Sequence, residues 1–260
     1  MNVMKRRPIV GMSLKIYVNK MDQAVSLAEE VIKQLGAVED VDVFLIPSMG
    51  TIYPVAKALE GSSILYGVQN IAPLEDGAMT GEFSIESAVD LGCHLVELGH
   101  AERKSIFKEE YNMINEKIRL TLRNGLMPIV CVGETDKSPD RKKELSEQIE
   151  ELLRDIPKAS LINLVLAYEP EWAIGKEKPA DPQYVHQSMK MIREILGMLY
   201  GKSVSEEIRL IYGGSANKEN AEELVSSDDI DGLFIGRFGH EISNFKEIVS
   251  TVREVKEGKL

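Results

Sequence analysis

One lysine, one histidine and one glutamate, Lys15, His100 and Glu169, each stand just past a short β-rich run. These are the residue types that move a proton between adjacent carbons of a hydroxy-ketone. The reaction needs a base for an unactivated C–H, and a buried carboxylate with a raised pKa is one. It also needs electrophiles that hold the enediolate oxygens, which an imidazole and an ammonium provide. Two further runs end in Gly213-Gly214-Ser215 and Gly236-Arg237. Glycine turns at helix N-termini offer backbone N–H groups to a phosphate. No step of this chemistry calls for a metal or an organic cofactor, and none is expected.

Such residues converge only if the runs that carry them share one mouth. Buried-type strands are predicted over 8–14, 41–46, 64–68, 94–98, 127–132, 162–168, 208–212 and 231–235. Between them lie amphipathic patterns over 24–35, 51–59, 85–91, 111–124, 140–153, 181–199, 217–224 and 244–255. Apolar spacing defines these helices, and Asn217 is the expected cap of the seventh. The runs are continuous rather than alternating, as a parallel sheet covered on both faces requires. Eight βα units of roughly 30 residues fit one α/β domain, a closed (β/α)8 barrel over 1–260. No Gly-rich dinucleotide turn follows any strand, which disfavours an open doubly wound sheet. In a barrel the C-terminal strand ends carry the chemistry.

Composition bounds the partners. The 260 residues hold 31 Lys and Arg against 42 Asp and Glu, a net charge of −11. That balance disfavours nucleic acid and anionic membranes as partners. Any anionic substrate must meet a local concentration of cations. Cys93 and Cys131 are far apart and lie in apolar sequence, so they read as reduced thiols. No apolar run reaches membrane-spanning length and no signal core follows Arg7. A cytoplasmic location is expected.

Five motifs in order carry a resemblance over the whole chain. They are Gln69-Asn70 with Gly77-Ala-Met-Thr-Gly-Glu82, Glu97-Leu-Gly-His-Ala-Glu-Arg103, Pro128-Ile-Val-Cys-Val-Gly-Glu-Thr135, Ala167-Tyr-Glu-Pro-Glu-Trp-Ala-Ile-Gly175 and Ile211-Tyr-Gly-Gly-Ser215. The chain resembles the triosephosphate isomerase family, whose fold is the TIM barrel. The resemblance implies Glu169 as the proton-shuttling base, His100 as a neutral electrophile and Lys15 as positive charge at the substrate oxygens. Glu102 and Arg103 would buttress them. Residues 170–180 would form a lid that excludes water from an enediol phosphate, with Trp172 in its hinge and Tyr212 steadying it. Gly175, Ser215, Gly236 and Arg237 would hold the phosphate. The loop with Thr80 would reach into a neighbouring subunit, which implies a homodimer. The substrate would be a small phosphorylated sugar, by default dihydroxyacetone phosphate with glyceraldehyde 3-phosphate.

Three positions depart from the family. Ser13 stands where Asn is usual, Arg237 where a second glycine is usual, and Glu177 where the lid tip carries glycine. Ser13 and Arg237 together resemble the branch acting on four-carbon tetrulose phosphates. A shorter residue at 13 makes room for one more hydroxymethyl group. A non-catalytic sugar-phosphate-binding paralogue is the reading from another class; retention of Lys15, His100 and Glu169 opposes it. Elsewhere plain readings hold: His94, His186 and His240 as structural, Cys131 as core packing, Glu171 as a solvated lid residue.

Overall fold

Period-two alternation decides which side chains enter the barrel. Eight parallel strands close on themselves in sequence order: β1 Ile9–Ser13, β2 Asp42–Ile46, β3 Leu65–Val68, β4 Leu95–Leu98, β5 Met127–Val132, β6 Val165–Tyr168, β7 Arg209–Tyr212 and β8 Gly232–Ile235. The ring is completed by β1 against β8, Ile9 opposite Gly232. This computed structural model describes residues 6–174 and 179–258.

Ile9, Phe44, Ile46, Leu95, Ile129, Cys131, Val165, Ala167, Ile211 and Phe234 fill the barrel interior as one buried cluster. Their alternate neighbours, such as Val10, Leu45, Val96, Val130 and Leu166, pack outward in the larger cluster beneath the helices. Gly11 lacks a side chain because Phe44 takes the space, its ring 2.3 Å from where a Cβ would be. Counting on by twos from the interior layer sets the mouth. Leu95 leads to Glu97, Ala167 to Glu169 and Ile211 to Gly213.

The opposite end is sealed by ion pairs. Asp42 accepts from Arg209 Nη1 at 2.6 Å and from Arg7. Asp231 accepts from Arg6 Nε at 2.7 Å and from the Leu210 N–H at 2.7 Å. Charge at that face belongs to stability rather than chemistry.

The observed elements differ from the predicted ones at several places. The sixth strand begins at Val165, not 162, because a short helix at Lys158–Leu161 precedes it and 162–164 form its exit. The helix expected from Asn217 begins only at Ala221. Asn217 Oδ1 instead accepts from the Glu219 and Asn220 N–H groups at 3.0 Å each, holding a turn. Two short helices, Ala101–Ser105 and Lys202–Glu207, have no apolar period long enough to read in sequence.

Candidate active site

A cavity of about 390 Å³ opens at the C-terminal ends of the strands. Ser13, Lys15, Glu97, His100, Glu102 and Glu169 line one side; the turns after β7 and β8 line the other.

His100 caps the short helix after β4. Its Nδ1 accepts the Glu102 backbone N–H at 3.1 Å. A backbone N–H can only donate, so Nδ1 carries no proton and Nε2–H faces the cavity. Burial, then the Lys15 charge, lowers the imidazole pKa to about 4. The ring is therefore a neutral donor at ordinary pH. Nε2 lies 3.5 Å from Glu169 Oε2.

Glu169 is 4% exposed. Burial, reinforced by the negative charge of Glu97, raises its pKa to about 8. Oε2 is buried and has no hydrogen-bond donor among the described residues. Gly213 leaves the space this carboxylate fills, since a Cβ there would meet Oε1 at 2.5 Å. Cys131 packs behind it, fully buried, with burial first and then the Glu169 charge raising its thiol pKa far above the usual value. That suits core packing and not nucleophilic attack.

Lys15 adopts a left-handed backbone, φ 45°, an unfavourable state for a residue with a Cβ. It places Nζ 2.7 Å from Glu102 Oε1. Burial acts to lower the ammonium pKa, but the Glu102 bond and charge outweigh it and raise the pKa. Arg103 points away from the cavity. Its guanidinium donates to Glu109 Oε1 at 2.9 and 2.5 Å, an oxygen also held by Lys117 Nζ at 2.6 Å and Asn70 Nδ2 at 3.0 Å. It is a buttress for the loop after β4.

Ser13 is buried, and its Oγ donates to Glu97 Oε2 at 2.9 Å. Sequence reasoning passed over Glu97, although two-residue spacing from Leu95 points it inward. Burial raises its pKa to about 7. A carboxyl whose folded pKa lies above its unfolded value costs stability once it ionises. So the Glu97 contribution falls as pH climbs from about 4.5 to about 7. Glu97→Gln removes a charge that holds the Glu169 pKa up. The acidic limb of the kcat/KM profile is expected to move to lower pH, and Tm at pH 8 to rise against wild type more than at pH 5. An unmoved limb in a pH–rate titration would show that the two carboxylates do not interact.

In the turn after β7, Ser215 Oγ donates to the Ala173 carbonyl at 2.9 Å. Gly236 and Arg237 line the same cavity. Arg237 is exposed, its guanidinium carbon 5.6 Å from the centre of the Tyr17 ring. Tyr212 is buried, and its hydroxyl has no hydrogen-bond partner among the described residues. Gly175 and Glu177 lie outside the described residues. Thr80 is exposed on the loop after β3 and does not line the cavity of its own chain. Among the described residues no group of three His, Cys, Asp or Glu is placed to hold a metal ion. Also among them, no helix is long and apolar enough to cross a membrane.

The segment after Glu169 is anchored by a buried hub that sequence reasoning saw only through Trp172. Glu134 accepts from Tyr168 Oη at 3.0 Å, Trp172 Nε1 at 2.9 Å and Tyr184 Oη at 2.7 Å. Glu171, expected to be solvated, is instead 18% exposed in its side chain and paired with Lys104. The helix Ala101–Ser105, invisible in the sequence pattern, brings that lysine to it.

A closed (β/α)8 barrel with a carboxylate, a neutral imidazole and an ammonium around one polar mouth has the build of a barrel isomerase. The chain belongs to the triosephosphate isomerase family, which matches residues 8–252. It is 46% identical over 254 residues to the probable triosephosphate isomerase 2 of Listeria monocytogenes, covering 96% of this chain and 99% of that one. It is 38% identical over 247 residues to the triosephosphate isomerase of Carboxydothermus hydrogenoformans, covering 94% and 98%. To that of Rhodopirellula baltica it is 36% identical over 249 residues, covering 95% and 98%.

Proposed function

We propose that the protein is a cofactor-free aldose–ketose isomerase of a short phosphorylated sugar, acting in the cytoplasm as a homodimer. The observation that carries this is the buried Oε2 of Glu169, without a hydrogen-bond donor among the described residues, beside a neutral His100 in one cavity. The phosphate binds the N–H groups of the turns after β7 and β8, with Ser215 and Arg237 beside them. This sets the carbonyl between His100 and Lys15. Glu169 takes the proton from the adjacent carbon, and the electron pair moves onto the carbonyl oxygen. His100 Nε2–H and the Lys15 ammonium hold that oxygen as the enediolate forms. His100 then carries the remaining hydroxyl proton from one enediolate oxygen to the other. Glu169, now protonated and free to exchange that proton with solvent, delivers a proton to the former carbonyl carbon, so that carbonyl and hydroxyl change places. A base pKa close to working pH serves both halves of the step. Two buried free thiols support a reducing compartment.

Dihydroxyacetone phosphate and glyceraldehyde 3-phosphate are the substrate pair that the names of the relatives support. One observation favours a four-carbon ketose phosphate as a second reading. Ser13 turns its hydroxyl onto Glu97, leaving a short polar floor beside His100. A coupled assay comparing triose and tetrulose phosphates decides between them. Ser13→Asn is expected to lower kcat/KM for a tetrulose phosphate against the triose pair by about 10-fold or more, the usual worth of one carbon-sized change. An unchanged ratio removes Ser13 from substrate selection. A protein that binds 2-phosphoglycolate yet turns over neither class would be the non-catalytic paralogue.

The dimer reading is supported by exposed apolar residues on the two loops flanking this wall of the barrel. Leu74 and Met79 lie with Thr80 on the loop after β3, and Ile106 and Phe107 on that after β4. Sedimentation at micromolar concentration is expected to show a dimer; a monomer would contradict it.

A further inference from the structure

The base and the electrophile stand on strands that do not touch. β4 leads to His100 and β6 to Glu169, and β5 lies between them in the barrel. At a strand spacing of ~4.8 Å their backbones are roughly 10 Å apart, too far for any ladder hydrogen bond. Among the described residues, two side-chain pairs cross that gap. The inner one is His100 Nε2 to Glu169 Oε2 at 3.5 Å. The outer one is Lys104 Nζ to Glu171 Oε1 at 2.9 Å.

The outer pair repeats the inner one a step further along both segments. Lys104 lies one helical turn past His100, on the helix Ala101–Ser105. Glu171 lies two residues past Glu169 and opens the 3-10 turn Glu171–Ala173. The two side chains are only 14% and 18% exposed, so water screens them poorly. Neither lines the cavity, and no step of the isomerisation uses either.

The turn after Glu169 is held from the β5 side as well. The Glu171 N–H donates to the Glu134 carbonyl at 3.0 Å. Trp172 Nε1 donates to the Glu134 carboxylate at 2.9 Å. Without Lys104 the described contacts leave that turn tied to the loop after β5 and not to the loop that carries the electrophile.

We propose that Lys104 and Glu171 are a positioning pair that braces the loop after β4 against the turn after β6, and so fixes the reach of Glu169 to the carbon it deprotonates. The proposal rests on the isomerase reading above. A misplacement of about 1 Å at a reacting group costs on the order of 100-fold, so a brace this close to the base acts on kcat.

The experiment compares Glu171→Gln, Lys104→Met, the double variant and Lys104→Arg with wild type. Glu171→Gln is expected to lower kcat about 10-fold, within the loss a sub-ångström shift brings, with KM changed less than about 3-fold. The double variant is expected to be no slower than the worse single one, because both break one contact. Lys104→Arg restores the pair and is expected to recover kcat, which a role in packing alone would not require. Lys104→Met also removes a cation near Glu169, so its pH–rate profile shifts, whereas that of Glu171→Gln keeps its position. Kcat of Glu171→Gln equal to wild type, or a double variant slowed by the product of the singles, overturns the brace. Calorimetric binding of 2-phosphoglycolate judges it without turnover: weaker binding in Glu171→Gln supports the brace, and equal binding overturns it. A wild-type protein that isomerises neither triose nor tetrulose phosphate defeats the functional reading, while that binding comparison still decides the brace.

Discussion

Shortening Glu169 to Asp is expected to lower kcat by roughly 100-fold or more, with KM and Tm close to wild type. The substitution keeps the charge and withdraws the carboxylate by about one C–C bond, ~1.5 Å. Oε2 has no donor among the described residues and faces His100 at 3.5 Å, a distance the shorter side chain lengthens. The strand that leads to it is held by β5 and β7 on either side, so the barrel survives. Steady-state rates with thermal melts check this. A kcat within about 10-fold of wild type would mean that another group takes the proton, since a positioned general base contributes about 100-fold or more. The wild-type pH profile follows from the same residue. Glu169 acts only when ionised, and burial with the Glu97 charge raises its pKa to about 8. The kcat/KM ratio is expected to rise with pH toward that value. His100, with its pKa lowered to about 4, stays neutral over the same range.

Replacing Lys15 with Met is expected to lower kcat/KM by roughly 100- to 1,000-fold, the loss that follows removal of a donor aimed at developing charge. Methionine has nearly the length of lysine and no charge, so the change tests charge and not bulk. Two effects add. The enediolate oxygen loses its nearest cation, and Glu102 loses the partner that holds its carboxylate pKa down against burial. The substrate is an anion, so KM rises together with the fall in kcat. Kinetics and 2-phosphoglycolate affinity measure both parts. A kcat/KM within about 10-fold of wild type would show that the Nζ–Glu102 pair is structural, because loss of one such donor typically costs 100-fold or more. The net charge of −11 does not describe this site, where Glu97, Glu102 and Glu169 share the lining with two cationic side chains. Lys15 and Arg237 line the mouth, and the N–H groups of the glycine turns stand beside them.

Much of this was readable because a barrel turns sequence order into geometry. Eight β-rich runs with helical patterns between them fix a ring, and the ring gathers every strand end at one mouth. Lys15, His100 and Glu169 announce themselves there as polar residues at the close of apolar runs. Glu97 does not, because it sits inside an apolar strand and only its even spacing from Leu95 reveals that it faces inward. The hub at Glu134 depends on Tyr184, which the chain places in the first turn of the helix Pro182–Tyr200. That convergence is tertiary and leaves no local pattern. Lys104 and Glu171 were illegible for the same reason, and Glu171 read as solvated because a charged residue in a loop usually is. The His100 tautomer was likewise out of reach, since it follows from one backbone N–H at 3.1 Å. Short helices such as Ala101–Ser105 carry too few residues to show a period.

The central claim is that Glu169 moves a carbon-bound proton through an enediolate. It is tested most directly by running dihydroxyacetone phosphate and a tetrulose phosphate in D2O and following the products by proton NMR. The account predicts that wild type converts at least one of them with solvent deuterium entering the carbon next to the carbonyl, and that Glu169→Asp slows conversion and deuterium entry together. Conversion with no deuterium in the product, or equal rates in the two proteins, would contradict it.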